Sequence, residues 1–387
     1  MPLSLYIHLP WCLQKCPYCD FNSHSFNEPP PFARYVDALL ADLESQLPKV
    51  WGRQIYSIFI GGGTPSLFPG VEIERLLSGV RALLPLSPSV EITIEANPGA
   101  ADVESFSEYR RAGVNRLSIG VQSFNDQQLK LIGRVHSGDE ALSAVKMARQ
   151  VGFENINIDL MFGLPEQTQR QALADLLQGI ELGVEHLSWY QLTLEPNTHF
   201  GHTPPHTLPQ DEEVWQMQQE GKKILSGAGL KQYEVSAYCR DSIECHHNLN
   251  YWHFGDYLGV GAGAHGKITD VATSTIERTT RSRSPERYLA EIEQQQSVHS
   301  ESVEDEDVIL EFMLNQLRLK DPFTQQQFEE RSGRSWSVVE DKIKQASIDG
   351  LLEVEPESAE DIGSRGVRVK VSVHGENFLN DLLSLFS

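Results

Sequence analysis

Pro10-Trp11-Cys12-Leu13-Gln14-Lys15-Cys16-Pro17-Tyr18-Cys19-Asp20 carries three of the chain's five cysteines, spaced C-x3-C-x2-C. The spacing is too tight for ordinary disulfides and suits convergence on one centre. A C-x2-C pair alone suggests zinc or a redox dithiol. Three thiolates this close together suggest an iron–sulfur cluster, with Cys12, Cys16 and Cys19 as candidate ligands. Three protein ligands on a four-iron cluster leave one iron open, and an open metal position is where chemistry happens, by analogy with catalytic zinc. The alternative reading is a structural zinc site with His8, His24 or Asp20 as fourth ligand.

Outward from this loop the chain alternates. Leu3–Leu9 is a short apolar run that reads as a strand leading into the cysteines. Pro29-Pro30-Pro31 blocks regular structure, and Phe32 to about Val50 has apolar residues at helical spacing. Further strands are read at Ile55–Ile60, Val90–Glu95, Arg116–Gly120, Asn155–Met161 and His186–Leu194, with helical patterns between them and a last one over Asp211 to about Ala228. Six strand–helix units in succession mean a parallel sheet. Such units curl into a closed or partial barrel whose functional residues lie at the carboxyl ends of the strands. The cysteine loop, Gly61–Pro65, Glu95–Gly99, Gln122 and Asp159 each follow or end a strand. They are therefore expected on one rim.

Gly61-Gly62-Gly63-Thr64-Pro65 lets backbone approach a ligand closely. It lacks the lysine of a P-loop, which argues against a nucleoside triphosphate; read alone it is as well explained by a tight turn. Glu95 and Asp159 read alone are as well explained as helix caps. His247-Asn248-Leu249-Asn250-Tyr251-Trp252 comes just after the barrel strands, so it is expected near the cysteine rim, and it sets an imidazole beside aromatic rings, which suits haem iron and a porphyrin face. A structural loop is the competing reading. His246, His253 and His265 are lesser candidates, and Cys239 and Cys245 lack paired-ligand spacing.

After Gly229 the alternation stops. Gln232–Cys239 reads as a strand that continues the sheet, and Tyr257–Gly266 is rich in small residues, so its backbone is expected to press against a neighbour. From about Glu304 the pattern is three helices, strands at Leu351–Val354 and Val367–Val373, and a closing helix over Gly375–Phe386. The expected units are 1–230, a barrel; 231–300, a barrel extension; and 301–387, a smaller α+β, winged-helix-like domain. Net charge is −22, from 32 basic and 54 acidic residues. This opposes unaided binding to nucleic acid or an anionic membrane surface, so the C-terminal unit reads as a lid or docking module. The acidic stretches Glu301–Asp307 and Glu353–Asp361 read as solvated faces or linkers. No apolar run reaches membrane-spanning length, the N-terminus does not resemble a signal peptide, and clustered thiols fit a reducing cytoplasm.

C-x3-C-x2-C with Tyr18 before the last cysteine resembles the signature of radical S-adenosylmethionine (SAM) enzymes. The preceding Leu5-Tyr6-Ile7-His8-Leu9-Pro10 is similar to the oxygen-independent coproporphyrinogen III oxidase group. His247-Asn248-x-x-Tyr251-Trp252 resembles its haem-chaperone branch. The resemblance implies a TIM-like partial (β/α)6 barrel and a [4Fe–4S] cluster on Cys12, Cys16 and Cys19. It implies SAM held by Tyr6, Tyr18, Gly62, Gly63, Thr64, Glu95, Gln122, Arg134 and Asp159, and haem held by His247, Asn248, Tyr251 and Trp252. It implies delivery of haem to respiratory haem proteins and leaves a homodimer, or membrane contact through a partner, open. The oxidases carry a further cysteine where Phe21 stands here, and an extension before the first strand where two residues precede Leu3. Both departures are expected to argue against coproporphyrinogen decarboxylation. An oxidase, a tRNA- or small-molecule-modifying radical SAM enzyme and a cluster-free zinc protein are the competing functions.

Overall fold

In each of the first strands, branched apolar residues alternate with polar or aromatic ones, and that period sorts the sheet into two faces. The structure is a computed structural model and describes residues 1–100, 102–356 and 366–386. Its first six long strands are β1 (Leu3–Leu9), β2 (Ile55–Gly62), β3 (Leu86–Ala96), β4 (Arg116–Gln122), β5 (Ile156–Phe162) and β6 (His186–Gln191). Each pairs in parallel with the next. Leu5, Ile58, Ile94, Leu117 and Ile158 are buried on the outer face against the helices. Each fully buried aliphatic side chain contributes about 1.5–3 kcal/mol. The inner face carries Tyr6, Phe59, Thr93, Arg116, Asp159 and Tyr190, and encloses the lumen of a partial barrel.

The outer layer is α1 (Phe32–Gln46), α2 (Gly70–Leu83), α3 (Val103–Ala112), α4 (Asp126–Leu131), α5 (Gly138–Gln150), α6 (Gln169–Glu181) and α7 (Asp211–Gly227). Their starts are written locally. Asp102 caps α3, and Ser137 with Glu140 and Thr168 with Gln171 form capping boxes on α5 and α6.

The sheet grows at both edges. Beyond β6, the single strand expected over Gln232–Cys239 is instead a hairpin of β7 (Lys231–Gln232) and β8 (Ala237–Cys239). The Glu234 carboxylate accepts both Ser236 N–H and Ser236 Oγ–H at 2.9 Å and turns the chain between them. Helix α8 (His246–Trp252) comes next, then β9 (Asp256–Val260), which pairs in parallel with β1. Three antiparallel strands continue outward from it: β10 (His265–Asp270), β11 (Thr275–Thr280) and, after α9 (Pro285–Glu293), β12 (His299–Ser302). Asp42 of α1 ties this extension down. Its carboxylate accepts Arg281 Nη2–H at 3.0 Å and Tyr288 Oη–H at 3.0 Å, all three residues being buried.

The C-terminal part runs α10 (Asp305–Gln316), β13 (Phe323–Thr324), α11 (Gln325–Ser332), α12 (Glu340–Ile348), β14 (Leu352–Pro356), β15 (Val367–Val371). This is the helix–strand–helix–helix–strand–strand order of a winged helix, with sheet order β13-β15-β14. Phe312, Phe323, Phe328 and Trp336 centre its hydrophobic cluster. The closing helix expected over Gly375–Phe386 is divided into α13 (Val373–Asn377) and α14 (Leu379–Ser384). The acidic stretch beyond Pro356, up to Asp361, lies outside the described residues.

Candidate cofactor site at the carboxyl rim

The cysteine loop leaves β1 and is pinned at both ends. Trp11 packs its ring against Tyr35 at 4.7 Å, Phe68 at 5.9 Å and Phe32 at 6.2 Å. The chain returns through His24, whose N–H donates to Pro10 O at 2.7 Å. Phe200 N–H donates to Pro17 O at 2.9 Å, clasping the loop from the far side of the rim. Cys12 is buried, and Cys16 and Cys19 are half-buried. Burial raises the thiol pKa of Cys12 and Cys19; a hydrogen bond with Thr64 pulls Cys12 back, and hydrogen bonds with the Phe21 backbone and then Ser23 pull Cys19 back. Among the described residues no three His, Cys, Asp or Glu side chains converge on one ion. His8 has both ring nitrogens committed, Nδ1 to Tyr6 Oη at 2.9 Å and Nε2 to Asn22 O at 2.8 Å. His24 Nε2 is committed to Arg283 O at 3.0 Å, and Asp20 is exposed. Three soft thiols spread around a loop suit a multi-iron cluster better than a closed zinc tetrahedron.

The triple glycine serves this loop. Gly63 N–H donates to Leu9 O and Thr64 N–H to Trp11 O, both at 2.8 Å. Thr64 Oγ–H donates to Cys12 Sγ at 3.4 Å, and Gly62 N–H to Glu95 Oε2 at 3.0 Å. A Cβ on Gly63 would sit 2.5 Å from Trp11 O, and one on Gly62, where φ is +119°, would sit 2.6 Å from the His8 ring. The close approach expected for a ligand is thus made to the cysteine loop itself, and the three amides are spent within the chain.

Around the same rim, Arg134 donates Nη2–H to Gly120 O at 2.7 Å and Nη1–H to Cys16 Sγ at 3.7 Å. Its Nε is buried without a partner. Gln122 ends β4 at φ +68°, strained for a residue with a Cβ. Its Oε1 accepts Tyr190 Oη–H at 2.9 Å. Asp159 Oδ1 accepts Asn157 Nδ2–H at 2.9 Å. Burial, then the charge of Asp159, pushes the Glu95 carboxyl up to about 7; burial also raises Asp159. Tyr18 packs on the cluster of Met161, Leu164, Leu192 and Phe200, and Tyr6 faces the lumen beside His8 and Phe59. Sequence reasoning missed Tyr190 and Asn157, which hold Gln122 and Asp159. Their signal is the inner-face alternation of β5 and β6.

His247 does not join this rim, and the expectation that it lies near the cysteines is corrected. Helix α8 sits at the amino ends of the strands. The Glu91 carboxylate accepts the N–H of His246 at 3.1 Å and of His247 at 3.2 Å, and draws the helix start onto β3. The His247 ring is buried 5.2 Å from Phe59 and 6.3 Å from Tyr6, with Nδ1 3.3 Å from Ser57 Oγ. Burial lowers its pKa to about 3, so it is a neutral imidazole. Asn248, Tyr251 and Trp252 are half-buried, and the Arg318 guanidinium lies 4.4 Å over the Trp252 ring.

The radical SAM superfamily profile matches residues 6–177, and the HemN C-terminal domain profile matches residues 303–359. The chain is 47% identical over 388 residues to the heme chaperone HemW of Escherichia coli K12, covering 100% of this chain and 98% of that protein. The chain belongs to the HemW family of the radical SAM superfamily. HemW of Bacillus subtilis is 34% identical, covering 94% of this chain and 92% of that one. Among solved structures, the coproporphyrinogen III oxidase HemN of Escherichia coli, a radical SAM enzyme, superposes with a TM-score of 0.81 over 100% of this chain and 90% of that one. At 23% identity it shares the fold. Radical SAM membership implies a [4Fe–4S] cluster and SAM. A cluster of this kind fits three thiols with no fourth protein ligand beside them. An anionic ligand fits the unpartnered Nε of Arg134. Among the described residues no helix is long and apolar enough to cross a membrane.

Proposed function

We propose that this protein is a cytoplasmic haem chaperone on a radical SAM scaffold, binding a [4Fe–4S] cluster, SAM and haem and handing haem to respiratory haem proteins. The full-length likeness to proteins named heme chaperone carries this reading. Cys12, Cys16 and Cys19 hold the cluster, with Thr64 Oγ–H supporting Cys12. When bound, the cluster supplies an electron to the sulfonium of SAM. Arg134 binds the carboxylate of SAM, Glu95 and Asp159 its hydroxyl or amino groups, and Gln122, Tyr6, Tyr18, Gly62 and Gly63 shape the pocket. Haem is assigned to the α8 stretch, where Asn248, Tyr251 and Trp252 offer polar and aromatic surface. Coordination of iron by His247 requires α8 to move off β2, because the imidazole is buried against Phe59. The three units 1–230, 231–300 and 301–387 serve as barrel, extension and docking module. A homodimer, and membrane contact through a partner, remain compatible with this reading.

The test uses the anaerobically reconstituted full chain. Iron and sulfide are counted for the wild type and for a Cys12→Ala, Cys16→Ala, Cys19→Ala variant, and each is titrated with haem. Loss of the cluster in the variant, with saturable haem binding by the loaded wild type, is expected. Robust conversion of coproporphyrinogen III to protoporphyrinogen IX with SAM and a reductant overturns the chaperone reading in favour of an oxidase.

A further inference from the structure

The middle of the lumen holds a charge without hydrogen bonds. Arg116 is the first residue of β4, and 2% of it is exposed. None of its guanidinium N–H groups meets an acceptor among the described residues, and its Nε is fully enclosed. Directly opposite on β3 is Thr93, in register with Arg116, itself fully buried and with an unpartnered Oγ. Two neighbouring inner-face positions therefore present donors with no acceptor. Leaving a buried donor unmade costs about 1–3 kcal/mol, and more for a charged group, so the pair is built for an acceptor that the chain does not supply.

The nearby carboxylates are occupied elsewhere. Glu91 accepts His246 N–H, His247 N–H and Cys245 Sγ–H, and Asp159 accepts Asn157 Nδ2–H. His186 is bonded at both nitrogens, to Asn157 Oδ1 and Tyr233 Oη. The two carboxylates face the charge of Arg116 without satisfying its fork. The same register row continues through Phe59 to Tyr6, with the His247 ring packed on both. Along this row of the inner face a cationic fork and a hydroxyl thus adjoin a pair of aromatic rings.

We propose that this stretch of the inner face is a carboxylate subsite. Arg116 and Thr93 take the carboxylate of an organic anion entering from the rim, and the wall of Tyr6, Phe59 and His247 takes its short apolar stem. A planar fork of five donors matches a carboxylate in a way a single ammonium does not. The subsite shares Tyr6 with the SAM pocket and His247 with the haem stretch of the proposed function, while its donors, Arg116 and Thr93, belong to neither.

The test titrates the full-length, cluster-loaded protein with sodium propionate and, at equal ionic strength, with sodium chloride, reading the thermal unfolding midpoint. A ligand that binds the folded state alone raises the midpoint saturably. Propionate is expected to do so and chloride not. Arg116→Gln is expected to weaken propionate about tenfold or more, the scale of a lost hydrogen bond to a charged group. Thr93→Val, which keeps the shape and removes the hydroxyl, is expected to weaken it several-fold. Should Arg116→Gln fail to fold, Thr93→Val decides alone. Identical responses to propionate and chloride, or wild-type propionate affinity in the folded variants, overturn the proposal. Haem titration of the same variants is read alongside, so that loss of haem binding and loss of the carboxylate site are told apart.

Discussion

Replacing Gly63 by Ala should unseat the cluster loop. The new Cβ would lie 2.5 Å from Trp11 O and 2.8 Å from the Pro10 and Trp11 carbonyl carbons, all of them backbone, so no side chain can swing aside. Relief requires β2's end to back away from the cysteine loop. That movement stretches Gly63 N–H···Leu9 O and Thr64 N–H···Trp11 O, both 2.8 Å, and the 3.4 Å contact of Thr64 Oγ with Cys12 Sγ. Two backbone hydrogen bonds are worth about 1 kcal/mol each, and forcing atoms into a packed site costs about 1–3 kcal/mol. The expected loss is therefore about 3–5 kcal/mol, a large part of a stability of roughly 5–15 kcal/mol. Urea unfolding and iron and sulfide per chain after anaerobic reconstitution measure both consequences. Gly227→Ala is the control: it lies at the end of α7, and its Cβ would meet nothing within 4 Å. It should keep full cluster content and unchanged or slightly higher stability. A Gly63→Ala protein with wild-type stability and a full cluster would refute the reasoning.

Three further outcomes are expected. Asp42→Ala leaves Arg281, buried with 2% of its side chain exposed, without its carboxylate. It should cost about 3–5 kcal/mol in urea unfolding; a loss under about 1 kcal/mol contradicts the anchoring role. Glu95, with its folded pKa at about 7 against an ordinary 4.5, binds more protons folded than unfolded between those values. SAM-free protein should therefore lose stability as pH rises through that window, and Glu95→Gln should flatten the slope; an unchanged pH profile in the variant removes Glu95 as its cause. Arg134→Ala should weaken SAM binding by more than about 1 kcal/mol, measured by equilibrium titration of the loaded protein, and equal affinity would remove Arg134 from the site.

The rim is legible in the sequence because its signals are local. Strands such as Ile55–Ile60 are branched and aromatic, a partial barrel gathers the loops after its strands at one end, and the cysteines name their own chemistry by spacing. The parts that escape such a reading depend on partners distant in sequence. The purpose of Gly63 is set by Trp11, 52 residues earlier, so the glycines resemble a ligand loop and act as a seat for the cysteines. His247 looks like a rim residue because it comes after the barrel strands. Nothing within the stretch announces that Glu91 captures the start of α8 at the opposite end. The break in Gln232–Cys239 turns on one carboxylate, Glu234, folding back on Ser236. Arg116 and Thr93 become a pair through strand register, which alternation constrains but does not specify.

The central claim is tested most directly by anaerobic titration of the cluster-loaded protein with haem, followed by absorbance. The account predicts a saturable spectral change while the cluster content stays intact. No saturable change from a protein with a complete cluster would contradict it.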